Sequence, residues 1–231
     1  NDTRGTCEDS QGTLWVATSY GGLARFDPTT GKFKAYRHDP NKSNSLGKGI
    51  ITTLKCDPAG GLWLGLWGGG LNRFDPKSET FRRYENDPRD PASLSNNEVW
   101  FIHLGSTGEA WVGTSGGLNR FDPRTERFTA YRRKDGLSSD RINTILEDDR
   151  GKLWLGTADG GIIRFGPGTG ATQTYDASGG LQSNQFLNSS AYKSRTGALL
   201  FGGENGFNII DPAHIATNTQ APSVVLTRYA Q

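Results

Sequence analysis

The 231-residue sequence predicts an all-β fold, a β-propeller with about five four-stranded blades, and three observations support this prediction. A Gly-x-(Leu/Ala)-Trp marker recurs every 43 to 48 residues, at Trp15, Trp63, Trp111 and Trp154, with Leu200 in the fifth slot. Each repeat contains four short apolar segments that are too short for typical helices. Gly-Gly, Asp-Pro and Asp-x-x-Gly clusters separate these segments and favour turns. Four antiparallel strands in a repeat of this length are typical of a propeller blade.

The fourth repeat defines the strands most clearly. We predict strand A over residues 142–147, strand B over 153–157, strand C over 161–165 and strand D over 172–175. Superposing the other repeats divides the chain into units near 1–49, 50–97, 98–140, 141–184 and 185–212, followed by a linker and one further strand in 213–231.

The aromatic and basic residues that recur in the first four units are predicted to be structural. A large aromatic ring in strand B buries much apolar area, so the four marker tryptophans are expected between neighbouring blades, with a partner for each indole N–H. Four arginines recur at one position of strand C and are expected to tie adjacent blades through carboxylates or carbonyls: Arg25, Arg73, Arg120 and Arg164.

The two cysteines are predicted to stay unpaired. Cys7 lies eight residues before Trp15, whereas Cys56 lies seven residues before Trp63. Neighbouring positions on a strand point to opposite faces of a sheet. Two buried free thiols are therefore expected.

Several classes of function have little support in the sequence. With 26 basic and 24 acidic residues, the chain lacks the excess of positive charge expected of a nucleic-acid partner. It has no apolar run long enough to span a membrane, so no direct membrane contact is expected. The three histidines, His38, His103 and His214, lie in different units, and no metal, cofactor or catalytic residue is predicted.

The repeat Asp-x-x-Gly-x-Leu-Trp-(Leu/Val)-Gly-Thr, followed by Gly-Gly-Leu-x-Arg-Phe-Asp-Pro and Phe-x-x-Tyr, resembles the two-component regulator propeller repeat. The tail from Asp211 to Tyr229 is similar to the junction between such propellers and a Tyr-rich immunoglobulin-like domain. The resemblance implies a segment on the periplasmic side of a membrane-anchored bacterial protein. In that family, propellers sense soluble ligands, often oligosaccharides, and signal to a histidine kinase or another output domain. Family propellers usually have seven blades, so these units are expected to belong to a larger propeller.

One face of the propeller is predicted to bind the ligand. The B–C and D–A loops share that face, and the B–C loops vary in the residues before a fixed glycine, as a recognition surface on a rigid frame does. Trp67 adds a large aromatic ring to one of these loops, where it either packs beneath a neighbouring loop or is exposed and suited to stacking on a sugar. The candidate ligand-binding residues are Tyr20, Trp67, Ser115, Asp159 and Glu204 from the loops, with Trp100 and Arg141.

The sequence is compatible with three functions. The leading hypothesis is a non-catalytic sensor segment for a small soluble ligand, such as an oligosaccharide. Its other partners would be adjacent blades and the immunoglobulin-like domain of the same chain, and a homodimer is compatible with the sequence. The alternatives are a self-contained lectin-like or scaffold propeller and a lyase resembling the streptogramin-degrading propellers. The lyase requires His38 and His103 to meet across blades.

Overall fold

The predicted all-β propeller fold is confirmed. A computed structural model describes residues 2–105 and 108–215, which form four four-stranded antiparallel sheets and one three-stranded sheet. Strands follow one another in each sheet in chain order, and the first strands of successive sheets pack side by side. The first strand of each sheet therefore lies innermost, and each sheet is one blade.

The blades have the following strands. Blade 1 comprises β1 (Thr3–Glu8), β2 (Leu14–Thr18), β3 (Gly22–Asp27) and β4 (Lys32–Tyr36), and blade 2 comprises β5 (Ile50–Cys56), β6 (Leu62–Trp67), β7 (Leu71–Asp75) and β8 (Thr80–Tyr84). Blade 3 comprises β9 (Val99–Leu104), β10 (Ala110–Thr114), β11 (Gly117–Asp122) and β12 (Arg127–Tyr131). Blade 4 comprises β13 (Ile142–Glu147), β14 (Leu153–Thr157), β15 (Ile162–Phe165) and β16 (Thr172–Tyr175), and blade 5 comprises β17 (Phe186–Lys193), β18 (Leu199–Gly203) and β19 (Gly206–Ile210).

The strand boundaries predicted for the fourth repeat agree with the structure at all but one end. Strand C begins at Ile162, one residue later than predicted. The helical segments of the described residues are two 3₁₀ turns, Arg133–Asp135 and Ala177–Gly179, and no helix there is long and apolar enough to cross a membrane. The strand predicted within 213–231 lies almost entirely outside the described residues.

The marker tryptophans are core residues between blades, as predicted. All four are at most 2% exposed. The indoles of three of them meet the strand C phenylalanine of the following blade edge-on: Trp15 with Phe74 at 5.3 Å, Trp63 with Phe121 at 5.1 Å and Trp111 with Phe165 at 5.7 Å between ring centroids. An aspartate in the A–B turn accepts the indole N–H in blades 1, 2 and 4, through Asp9, Asp57 and Asp148.

Three of the repeated arginines, Arg73, Arg120 and Arg164, contact their own blades, so the predicted ties between blades are wrong for them. Arg25 of blade 1 instead helps to lower the pKa of Glu79 in blade 2. Register pairs Arg73 with Trp63, which places both side chains on one face of the sheet. The guanidinium of Arg73 lies 5.2 Å from the Trp63 ring and 3.7 Å from Asp57. Arg120 stacks in the same way on the marker tryptophan of blade 3, and Arg164 on that of blade 4.

The prediction of free thiols is wrong, because Cys7 and Cys56 form a disulfide with Cα atoms 5.8 Å apart. Cys7 pairs with Trp15 and shares its face, which looks toward blade 2. Cys56 pairs with Leu62 instead, so it lies on the face of blade 2 opposite Trp63 and looks back toward blade 1. A disulfide between two stacked blades requires one cysteine on the forward face of the first blade and the other on the backward face of the second. The one-residue difference in spacing to the marker tryptophans therefore favours the bond that it was taken to exclude.

Apolar side chains lie exposed on the two end blades. Leu14 is 39% and Phe33 57% exposed in blade 1, whereas the corresponding Leu62 and Phe81 of blade 2 are at most 5% exposed against blade 1. At the other end, Tyr192, Phe207 and Ile209 of blade 5 are all more than 60% exposed. Both end faces thus carry side chains of the kind that interior blades bury.

His103 provides a pH-dependent contribution to stability. It lies on β9, 3.0 Å from a Glu147 oxygen, with Lys55 of β5 and Lys193 of β17 close enough to act on its charge. Burial lowers the pKa of His103, and the hydrogen bond to Glu147 opposes this shift only in part.

We expect the free energy of unfolding to fall as the pH is lowered through the unfolded-state histidine pKa of about 6.5. The unfolded chain then takes up a proton that the folded chain still refuses, and this loss ends once the pH is below the folded pKa of His103. Urea unfolding at a series of pH values between these limits should show a shallower dependence for His103→Gln than for the wild type. Equal slopes in the two proteins would show that His103 does not titrate in this way.

Candidate functional site

The B–C loops are held by a fixed backbone frame. In blade 2, Gly70 has a φ of +65°, and a Cβ at this position would lie 2.3 Å from the Tyr84 carbonyl oxygen. The equivalent glycines of blades 1, 3 and 4 meet the strand D tyrosine carbonyl in the same way: Gly22, Gly117 and Gly161. Only glycine fits this close approach with a left-handed backbone. The side chains before it are therefore free to vary on a constant frame.

A pocket of about 460 Å³ opens at the face predicted to bind the ligand. Three of the candidate residues, Tyr20, Trp67 and Trp100, line it together with the first residues of the innermost strands β1 and β5. Trp67 is 48% and Tyr20 73% exposed, so both rings can contact a ligand. The pocket therefore unites an aromatic surface from blades 1, 2 and 3.

Trp100 is fixed in place by the candidate residue Ser115. The indole N–H of Trp100 donates to Ser115 Oγ at 2.7 Å, and that hydroxyl donates onward to Glu98 Oε2 at 2.7 Å. The hydroxyl of Ser115 is thus engaged on both sides. Ser115 orients the ring that lines the pocket and does not line the pocket itself.

Arg141 joins the site through the same ring. Its guanidinium carbon lies 4.5 Å from the centroid of a Trp100 ring, within the range of a cation–π contact. The Nε of Arg141 also donates to Asn143 Oδ1 at 3.3 Å. Five of the candidate residues thus form one cluster about Trp67 and Trp100.

Asp159 and Glu204 do not line this pocket. Asp159 accepts hydrogen bonds from Arg133 and Ser139, and so ties its B–C loop to the loop that precedes β13. Glu204 lies beside Gln185, whose amide can donate to both carboxylate oxygens. These two carboxylates therefore form contacts between loops of blades 4 and 5 and are not part of the pocket.

The long D–A loops link blades and do not wall the pocket. The backbone N–H of Phe81 in β8 donates to Asn44 of the first such loop, and that of Phe128 in β12 donates to Ala92 of the second. Buried Asn72 accepts a hydrogen bond from Gly47 in the same manner. Each loop therefore attaches to the blade that follows it.

Sequence reasoning missed two parts of the pocket. Arg4, near the start of β1, lines it, as do Asn188 and Ser189. Phe186, which pairs with Gly203, takes the position in blade 5 that Ile142, paired with Thr157, takes in blade 4. The register shifts between Phe186 and Ala191, and this irregularity carries Asn188 and Ser189 into the pocket. Nothing in the apolar pattern signals the inserted residues.

The histidines do not converge on a catalytic arrangement. His38 Nδ1 lies 2.9 Å from the Leu46 carbonyl oxygen, and His103 pairs with Glu147. Within residues 2–105 and 108–215, no group of three or more His, Cys, Asp or Glu residues is arranged to hold a metal ion.

Two stretches of the chain match a family model. Residues 1–20 and 136–159 match the model of the two-component regulator propeller family. A histidine kinase of Formosa agariphila is 34% identical over 95 residues, which cover 41% of this chain and 7% of the kinase.

Solved structures give the same fold. The extracellular domain assigned to a hybrid two-component system of B. thetaiotaomicron has a TM-score of 0.81 and 26% identity, covering 92% of this chain and 29% of that chain. The extracellular domain assigned to a one-component system of the same organism has a TM-score of 0.77 and 23% identity, covering 96% of this chain and 31% of that chain. The chain thus spans less than a third of each of these extracellular domains and a small part of the kinase.

Proposed function

Because the chain carries repeats of the two-component regulator propeller family, we propose that it is a ligand-sensing segment of a bacterial signalling protein and catalyses no reaction itself. The observation that carries this proposal is the pocket at the loop face, which combines exposed Trp67 and Tyr20 with a hydrogen-bonded Trp100. A rigid frame that presents variable aromatic side chains is suited to recognition.

An extracytoplasmic location, on the periplasmic side of a membrane-anchored protein, is part of the proposal. The similar structures are described as extracellular domains. The Cys7–Cys56 disulfide independently supports an oxidising compartment, because cytosolic thiols are kept reduced.

The proposed ligand is a carbohydrate. Sugars present apolar C–H faces that pack on flat aromatic rings, and their hydroxyls need hydrogen-bonding partners at the rim. Trp67 offers the exposed ring, while Thr52, Asn188 and Ser189 supply polar groups around it. The pocket thus combines the two kinds of surface that a sugar requires.

Further blades of the same protein are proposed to cover the two end faces. The exposed Leu14 and Phe33 occupy positions that neighbouring blades bury elsewhere in the chain. Together with Tyr192, Phe207 and Ile209 at the opposite end, they favour a larger propeller over a self-contained one. The signal would pass to a histidine kinase or another output domain of the full protein.

Replacing Trp67 with alanine should weaken saccharide binding at least tenfold, because stacking on an exposed aromatic ring is lost while the frame remains. Isothermal titration calorimetry with a panel of neutral and acidic oligosaccharides measures this, and Tyr20→Ala should lower the affinity of the same ligand. Tyr192→Ala is the matched control, since this ring is 62% exposed but lies on the end face of blade 5. The proposed binding face is wrong if both loop variants bind as the wild type does, and the carbohydrate proposal is wrong if no saccharide binds.

A further inference from the structure

We infer that the ligand carries an oxyanion, a carboxylate or a sulfate ester on a sugar, which is bound by Arg141 beside Trp100 or by Arg4 within the pocket. This inference rests on the proposed function and adds the charge of the ligand. Blades 2 and 3, which supply Trp67 and Trp100, lie between blade 1 with Arg4 and blade 4 with Arg141. A ligand stacked on the aromatic surface would therefore have a guanidinium group on either side.

Arg141 is held in place without being neutralised. Its guanidinium lies over Trp100, and its Nε donates to Asn143. Asn143 is itself 4% exposed and fixed by donating to the Phe186 carbonyl at 2.7 Å. No carboxylate in the described part of the chain forms an ion pair with Arg141, so the outer N–H groups of this exposed side chain remain available.

The propeller frame does not require an arginine at this position. Arg141 directly precedes Ile142 in the first strand of blade 4. The residue at the equivalent place is different in every blade: Asp2, Ile50, Glu98, Arg141 and Gln185. All five blades nevertheless pair their first strand with their second in the same antiparallel order. A charge that the frame does not need, placed beside a pocket, indicates recognition.

Arg4 is oriented by a buried hydroxyl. Its Nε donates to Ser19 Oγ at 2.7 Å, and Ser19 is 1% exposed. The Asp2 carboxylate is 3.7 Å from an Arg4 nitrogen and 79% exposed. An exposed ion pair of this kind contributes little and can give way to a ligand. Among the described residues that line the pocket, Arg4 is the one with a charged side chain.

The geometry of a guanidinium suits an oxyanion. Its parallel N–H groups can donate two hydrogen bonds to a carboxylate or a sulfate, and stacking on an indole leaves that edge free. Pre-orientation by Trp100 and Asn143 reduces the side-chain entropy lost on binding. A neutral sugar would gain the aromatic contact and the polar contacts of the rim, but no charge-assisted hydrogen bond.

Calorimetry with two matched pairs of ligands tests the inference: trigalacturonic acid against its methyl ester, and sulfated lactose against lactose. At least one charged sugar should bind ten- to a hundredfold more tightly than its neutral partner, as expected for a charge-assisted hydrogen bond. The pair that shows the difference tells whether the oxyanion is a carboxylate or a sulfate. Added salt should weaken binding of the charged sugar more than that of the neutral one.

Arg141→Gln should remove most of this preference by weakening binding of the charged sugar far more than that of its neutral partner, and Arg141→Lys should restore the preference only in part. Arg195→Gln removes the same charge from an exposed turn at the opposite end of blade 5 and should have no effect. If charged and neutral sugars bind equally, or Arg141→Gln keeps the preference, the inference is overturned and the proposed function stands. If no member of either pair and no saccharide of the wider panel binds, both are overturned.

Discussion

Replacing Trp63 with alanine is expected to lower the free energy of unfolding by about 3–5 kcal/mol, the usual loss for a buried tryptophan. The ring is 2% exposed and packs 5.1 Å from Phe121 of blade 3, so its removal leaves a cavity between two blades. The substitution also leaves Asp57 without its indole partner. Since domains of this kind are stable by about 5–15 kcal/mol in total, the variant should be close to unfolding.

Urea unfolding followed by circular dichroism measures this loss, and the chain contains a matched control. Trp67 lies four residues further along β6 but is 48% exposed, so Trp67→Ala should cost less than about 1 kcal/mol. If the two substitutions destabilise the protein equally, the marker tryptophans are not the packing residues between blades.

Removing the disulfide is expected to lower the free energy of unfolding by up to about 4 kcal/mol, because the bridge closes a long loop and so restricts the unfolded chain. Cys7 and Cys56 are separated by 49 residues and join blade 1 to blade 2. Blade 1 is an end blade that packs against blade 2 among the described residues, so the bridge restrains a blade that is held on one side. The double variant Cys7→Ser/Cys56→Ser should therefore unfold at lower urea concentration.

The two single serine variants control for changes at each site, and each should lose about as much stability as the double variant. Addition of a reductant should destabilise the wild type and leave the double variant unchanged. Mass spectrometry of the protein secreted into an oxidising compartment should show both thiols blocked to alkylation. Free thiols under those conditions would contradict the disulfide and remove its support for an extracytoplasmic location.

The fold could be read from the sequence because the same constraints recur in every unit. Trp154 and the turn at Asp148 define strand B of blade 4, and the glycine pair before Ile162 defines the start of strand C. A recurring signal averages out local ambiguity, so an apolar segment that would be ambiguous alone is assigned by its equivalents.

Contacts between units were harder to predict for a physical reason. Superposing Cys7 on Cys56 describes one blade, whereas their bond depends on how two blades face each other. Arg73 was predicted to contact a neighbouring blade, whereas its cross-strand pairing with Trp63 keeps it within its own blade. A repeat reveals the geometry within a unit and says less about the interface.

The site was predictable only in part. Tyr20 and Trp67 were identifiable because they depart from the repeat in a variable loop, and they do line the pocket. Ser115 departs from the repeat as well, yet its hydroxyl is used to hold Trp100. The contribution of Asn188 depends on a register shift in β17 that leaves no periodic signal.

The indole ¹H–¹⁵N resonances of the six tryptophans test the central claim, that a saccharide binds at the pocket of the loop face, most directly. Each resonance can be assigned with a Trp→Phe variant, and the tightest-binding saccharide of the panel is then titrated. We predict that the resonances of Trp67 and Trp100 shift while those of Trp15, Trp63, Trp111 and Trp154 stay in place. A bound saccharide that leaves Trp67 and Trp100 unshifted would contradict the claim.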